Sequence, residues 1–123
     1  MKKRPEHWRR DEPTFYNFLA LERKPVDAPD MLAGQSGALM SRDLKSDSQT
    51  YVIELPPGFR GRTDAKLASQ EFFVLQGDLA LDGESVGAAG YIHLPQLCGG
   101  GEVTSKTGAL VLAFWNPNLP CYP

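Results

Sequence analysis

Residues 69–83, Ser-Gln-Glu-Phe-Phe-Val-Leu-Gln-Gly-Asp-Leu-Ala-Leu-Asp-Gly, constrain this 123-residue chain more than any other stretch. Positions 71, 73, 75, 79 and 81 read Glu, Phe, Leu, Leu, Leu around Gly77. That alternation belongs to a β-strand with one apolar face. Gly77 permits a kink or bulge in mid-strand, and Asp82-Gly83 supplies the positive-φ positions of a tight hairpin turn. On this phase Phe72 and Val74 point outward. Outward apolar residues need a cover, either the N-terminal residues or a second subunit, so a homodimer is expected. Glu71 falls at the leading end of the inward face. A carboxylate beside a core costs free energy unless it is paired, hydrated or liganded. Glu71 therefore reads either as a pocket carboxylate or as the ion-pair partner of Arg60, Arg62 or Lys66.

Further strands are expected at Ala38-Leu39-Met40, 50–55, 91–94 and 109–115. Pro56-Pro57-Gly58 stops the second of these, Pro95 the third and Asn116-Pro117 the last. The strand at 109–115, Ala-Leu-Val-Leu-Ala-Phe-Trp, is apolar on both faces and reads as buried on both. Twelve glycines and ten prolines suit an all-β chain with many turns. Short strands without a long helix predict a sandwich or small barrel in a single domain.

Residues 1–36 read as an N-terminal arm packed outside a barrel formed by 37–123. Thr14 could cap a short helix carrying Phe15, Phe18 and Leu19. The net charge of −2 and the acidic residues that interrupt Lys2, Lys3, Arg4, Arg9 and Arg10 argue against nucleic acid as a partner. No apolar run reaches the ~18 residues of a membrane span, and the N-terminus lacks the apolar segment of a secretory signal. A cytoplasmic protein is expected, with Cys98 and Cys121 as free thiols.

The 69–83 stretch resembles the first motif of the cupin family: a glycine, His-x-His, a glutamate and a second glycine. Glu71 and Gly77 take the last two places, with Gly77 one residue early. The histidines would fall at 65 and 67, or at 64 and 66, where the chain has Asp64, Ala65, Lys66 and Leu67. Residues 37–115 are also similar to the cupin domains of ChrR-type anti-sigma factors. The matches are Pro56-Pro57-Gly58, Glu71 to Gly77, Tyr91 to Pro95 and Ser105-Lys106-Thr107-Gly108. Counting back from Ser105 puts Gly100 at the last metal histidine. The resemblance implies a cupin-type double-stranded β-helix, or jelly-roll barrel, whose metal-binding histidines are missing.

The expected function is binding of a small polar or anionic molecule in the barrel, with no metal and no cofactor. Glu71, His93, Arg62, Lys66 and Asp64 are the candidate ligand-binding residues. The cations of the 60–66 loop motivate an anion, and His93 is the one histidine of the expected barrel. Two other readings stay open. One is a metal-dependent isomerase, lyase or dioxygenase with non-standard ligands. The other is a sensor or regulatory interaction module.

Overall fold

The computed structural model describes residues 9–11, 13–15, 17, 20–28 and 30–117. Ten strands follow in order: β1 (Lys24–Pro25), β2 (Ser36–Arg42), β3 (Gln49–Leu55), β4 (Phe59–Thr63), β5 (Ala68–Gly77), β6 (Leu79–Leu81), β7 (Glu84–Val86), β8 (Tyr91–Leu94), β9 (Gly101–Ser105) and β10 (Ala109–Pro117). They form a six-stranded sheet, β1-β2-β3-β10-β5-β8, and a four-stranded sheet, β4-β9-β6-β7. Every strand pair is antiparallel. The inner faces of the two sheets enclose one core, which makes the protein an all-β jelly-roll barrel. No helix of the described residues is long and apolar enough to cross a membrane.

The strand expected from the 69–83 stretch is present, but its first half faces the other way. Phe72 and Val74 are 2% and 0% exposed, whereas Phe73 and Leu75 are 37% and 41% exposed. The register explains the choice. Phe72 lies opposite Ala113 and Val74 opposite Val111, and both partners are wholly buried. Beyond Gly77 the phase reverses, and Leu79 is buried again. Gly77 has φ +84°, and a Cβ there would collide with the Gly108 carbonyl. The chain leaves the six-stranded sheet at this glycine and enters the four-stranded one, so one alternation cannot run through both. Asp82 and Gly83, at φ 49° and 88°, make the expected turn between β6 and β7.

An arm lying wholly outside the barrel does not describe residues 26–28 and 30–32. Val26, Ala28, Met31 and Leu32 belong to the same core as Ile53, Phe72, Val111 and Trp115. Met31 bridges Thr63 at the edge of the four-stranded sheet. The helix expected after Thr14 rests partly on Phe18 and Leu19, which lie outside the described residues, as does Cys121. Phe15 is 90% exposed.

Candidate functional site

The reversed phase of β5 puts Gln70, not Glu71, inside the barrel, where it is fully buried. Gln70 Nε2 donates to the Asp30 carbonyl at 2.7 Å. The same carbonyl accepts the Asp64 N–H at 3.1 Å. Thr63 Oγ1, also buried, lies 2.9 Å from that carbonyl and within hydrogen-bond reach of Gln70 Oε1. Asp30 is 8% exposed. Its Oδ1 accepts from Trp115 Nε1 at 2.6 Å and its Oδ2 from the Leu67 N–H at 2.7 Å. This one residue of the N-terminal segment therefore ties together β4, β5, β10 and the loop after β4. Every polar group named is satisfied, as burial requires.

Glu71 and His93 are brought together, but on the outer face of the six-stranded sheet. They are direct cross-strand partners on β5 and β8. Tyr91 Oη donates to Glu71 Oε1 at 2.5 Å. This hydrogen bond, helped by partial burial, raises the Tyr91 phenol above its ordinary range. Neither ion-pair reading of Glu71 applies to the two arginines: Arg60 pairs with Glu102 at 3.0 Å and Arg62 with Asp64 at 3.4 Å.

Arg62, Asp64 and Lys66 lie apart from that pair, at one mouth of the barrel. Arg62 also reaches the Gly99 carbonyl at 3.4 Å. The loop after β4 and the loop after β8 meet there, through the Leu97 N–H on the Ala65 carbonyl at 2.7 Å. Ala65 and Leu97 hold φ values of 52° and 68°, and Gly99 and Gly100 hold 92° and 62°. Non-glycine residues in that region are strained, and such strain gathers at binding loops. Leu67, Leu97 and Cys98 are exposed on the same rim. The five expected site residues thus divide between two surfaces, the outer face of the six-stranded sheet and the end of β4 with the loop after it.

Solved structures share this architecture. An RmlC-like cupin from Shewanella frigidimarina superposes with a TM-score of 0.65 at 14% identity, over 86% of this chain and 92% of that one. Its fold is that of the cupins. An acetylacetone dioxygenase from Acinetobacter johnsonii gives a TM-score of 0.64 at 13% identity, over 85% of this chain and 76% of that one. A chain from the Rhodobacter sphaeroides complex of SigE with the anti-sigma ChrR gives 0.60 at 13% identity, over 76% and 49%. No family model and no curated protein matches the chain.

The cupin motif can now be placed by burial. Gln70 takes the glutamate place of the cupin motif, seven positions before Gly77, with no deficit in spacing. That count moves one possible histidine pair to Thr63 and Ala65, both buried. Gly100 leaves no room for a side chain, because a Cβ there would collide with the Thr63 carbonyl. A cupin metal does not fit this set. A hydroxyl, a neutral amide, a methyl group and a glycine offer no imidazole or thiolate, and the hydroxyl and amide already bond the Asp30 carbonyl. Among the described residues no three His, Cys, Asp or Glu side chains gather to hold an ion. The Gln70–Gly77 spacing was the one signal that could have located this cluster. Asp30 carries no sequence signature of its partnership with Trp115.

Proposed function

We propose that this cupin binds a small anionic molecule at the barrel mouth, on Arg62 and Lys66, without a metal. The observation that carries the reading is the Asp30–Thr63–Gln70–Trp115 network, which fills the interior with mutually satisfied groups. A ligand then has the rim to bind, and the rim holds two exposed cations beside two strained loops. Arg62 is already oriented by Asp64 and the Gly99 carbonyl, so less side-chain entropy is lost when it grips an oxyanion. Cytoplasmic location and assembly into a homodimer are parts of the same proposal. The exposed Phe73, Leu75 and Tyr91 support the pairing.

The test is calorimetric titration of chelator-treated protein with phosphate, then with small mono- and dicarboxylates. Saturable binding by at least one probe is expected, weakened about tenfold or more by Arg62→Ala or Lys66→Ala. Absence of heat with every probe would remove the reading. One equivalent of metal surviving dialysis would replace it with a metal-dependent isomerase, lyase or dioxygenase using non-standard ligands. Stoichiometric co-purification of a protein partner would favour a regulatory module, the setting in which the ChrR neighbour's complex was solved.

A further inference from the structure

Where residues 21–27 pass β2 they leave a cavity of about 180 Å³, which shares no lining residue with the barrel mouth. Leu21, Pro25, Ala38 and Leu39 give it apolar walls, and Asp27 and Tyr51 bring polar groups to it. Glu22 and Lys24 also line it, and they offset each other, with Lys24 Nζ 3.8 Å from Glu22 Oε2. Among the described residues no cation pairs with Asp27. The cavity therefore carries one uncompensated negative charge. Its hydrogen bonding is also one proton short. Tyr51 Oη lies 2.6 Å from Asp27 Oδ1 and 2.6 Å from Gln49 Oε1. A phenol has one proton and can donate to only one of them. Gln49 is 8% exposed, and its Nε2 donates to Asp47 Oδ1 at 3.3 Å, which keeps Oε1 turned to Tyr51. Leaving that enclosed oxygen without a donor is costly, whereas the exposed Asp27 can draw a donor from outside the chain. The phenol proton then belongs to Gln49, and Asp27 Oδ1 faces a phenol oxygen with no proton between them.

We infer that this cavity binds a small primary amine in its ammonium form. An ammonium group brings one positive charge and three N–H donors. One donor serves Asp27 Oδ1, a second serves the lone pair of Tyr51 Oη, and the carboxylate meets the charge. The apolar walls receive the carbon body. Other occupants fit less well. A metal ion would find one free carboxylate among apolar side chains, and no three His, Cys, Asp or Glu side chains of the described residues gather to hold it. An anion would meet the Asp27 charge. The cavity is smaller than the roughly 300–1,000 Å³ of pockets that hold drug-sized molecules, so the amine has only a few heavy atoms. The inference is independent of the anion proposed at the mouth, whose cations lie on β4 and the loop after it.

The test is titration of the full chain with n-butylammonium, tetramethylammonium and n-butanol, at neutral pH and constant ionic strength, followed by calorimetry and by amide NMR. Saturable binding of n-butylammonium at one site is expected. Tetramethylammonium keeps the charge without an N–H, and n-butanol keeps the chain without the charge. Each should bind about tenfold more weakly, or weaker still. In the NMR spectra n-butylammonium should shift the Asp27, Gly37 and Ala38 amides and leave those of Arg62 and Lys66 in place. Asp27→Asn should weaken n-butylammonium about tenfold or more. Asp27 is exposed, so the variant is expected to keep the wild-type circular dichroism. No saturable response to n-butylammonium in either measurement would overturn the inference. Equal affinity for tetramethylammonium would overturn the assignment to a primary amine. Binding indifferent to Asp27→Asn, or shifts confined to the mouth, would overturn the site.

Discussion

Asp30 and Glu71 are carboxyl groups on opposite sides of one sheet, and their surroundings differ in kind. Asp30 is enclosed, and it accepts through both carboxyl oxygens and its carbonyl from donors on four separate segments. Glu71 lies on a half-open face, with the phenol of Tyr91 on one oxygen and a histidine across the strand. An enclosed group strands its donors when removed; a half-open one leaves them to water. The interior carboxyl therefore belongs to stability and the outer one to surface chemistry. This reverses the roles a reading of the strand alone would assign.

The sharpest way to break that contrast is Asp30→Ala. It strands Trp115 Nε1 and the Leu67 N–H, at roughly 1–3 kcal/mol for each buried donor. At roughly 4 °C per kcal/mol the melting temperature should fall by about ten degrees or more. A melt unchanged by Asp30→Ala would erase the distinction. Thr63→Val tests the same network from β4. It removes a buried hydroxyl and leaves Gln70 Oε1 without that donor, for a loss of about 1–3 kcal/mol by chemical denaturation.

Asp78 sharpens the comparison from a third position, the turn joining β5 to β6. Its carboxylate accepts from the Thr107 hydroxyl, the Lys106 N–H and the Thr107 N–H. These bonds, the Thr107 hydroxyl foremost, hold its pKa at about 2. A depressed carboxylate pKa contributes stability that is present above the ordinary value near 4 and lost as pH falls through about 2. Asp78→Asn should therefore flatten the stability profile between about pH 4 and pH 2, in a denaturation series, with its loss relative to wild type largest at neutral pH and vanishing near pH 2. The group is open to solvent, so the slope is expected to be shallow and to shrink further in high salt.

The smallest effect is expected at Glu71. Glu71→Gln should change stability by no more than about 0.5 kcal/mol, as for other surface replacements. Its signature is spectroscopic. The Tyr91 phenol is raised by the Glu71 carboxylate, so in the variant one tyrosine should ionise at lower pH in an absorbance titration. A large loss of stability would place Glu71 back among the structural residues. An unchanged titration would remove the Tyr91 contact.

Much of the fold was legible in the residues themselves. The turn at Asp82-Gly83 and the stops at Pro56-Pro57 and Pro95 lie where local chemistry puts them, whereas the last strand runs on through Asn116 and Pro117, which pair with Ser69 and Ala68. The candidate site was less legible. Gln70 and Glu71 are neighbours, and a strand apolar on both faces does not say which of them turns inward. Phe72 and Phe73 are chemically identical in that respect. The loop expected to carry Arg62, Asp64 and Lys66 is in part a strand, because Arg62 lies on β4 opposite Glu102 and only Asp64 and Lys66 follow in the loop, while Glu71 and His93 share a different surface.

What the sequence determined by itself was most of the six-stranded sheet's strands and the turns at Pro56-Pro57 and Asp82-Gly83, because glycine, proline and β-branched residues act within a few residues of their own position; the paired strands β4 and β9 carry no such local signal. It also determined that no histidine stands at 63–67 or at 100, since an absent residue needs no fold to be read. Only the tertiary structure decided which face of β5 is buried. Ala113 and Val111 on β10, about 40 residues away, make room there for Phe72 and Val74. Only the tertiary structure brought Asp30 to Trp115, 85 residues apart. Burial is a property of the closed barrel, and a hydrogen bond across it leaves no periodic trace along the chain.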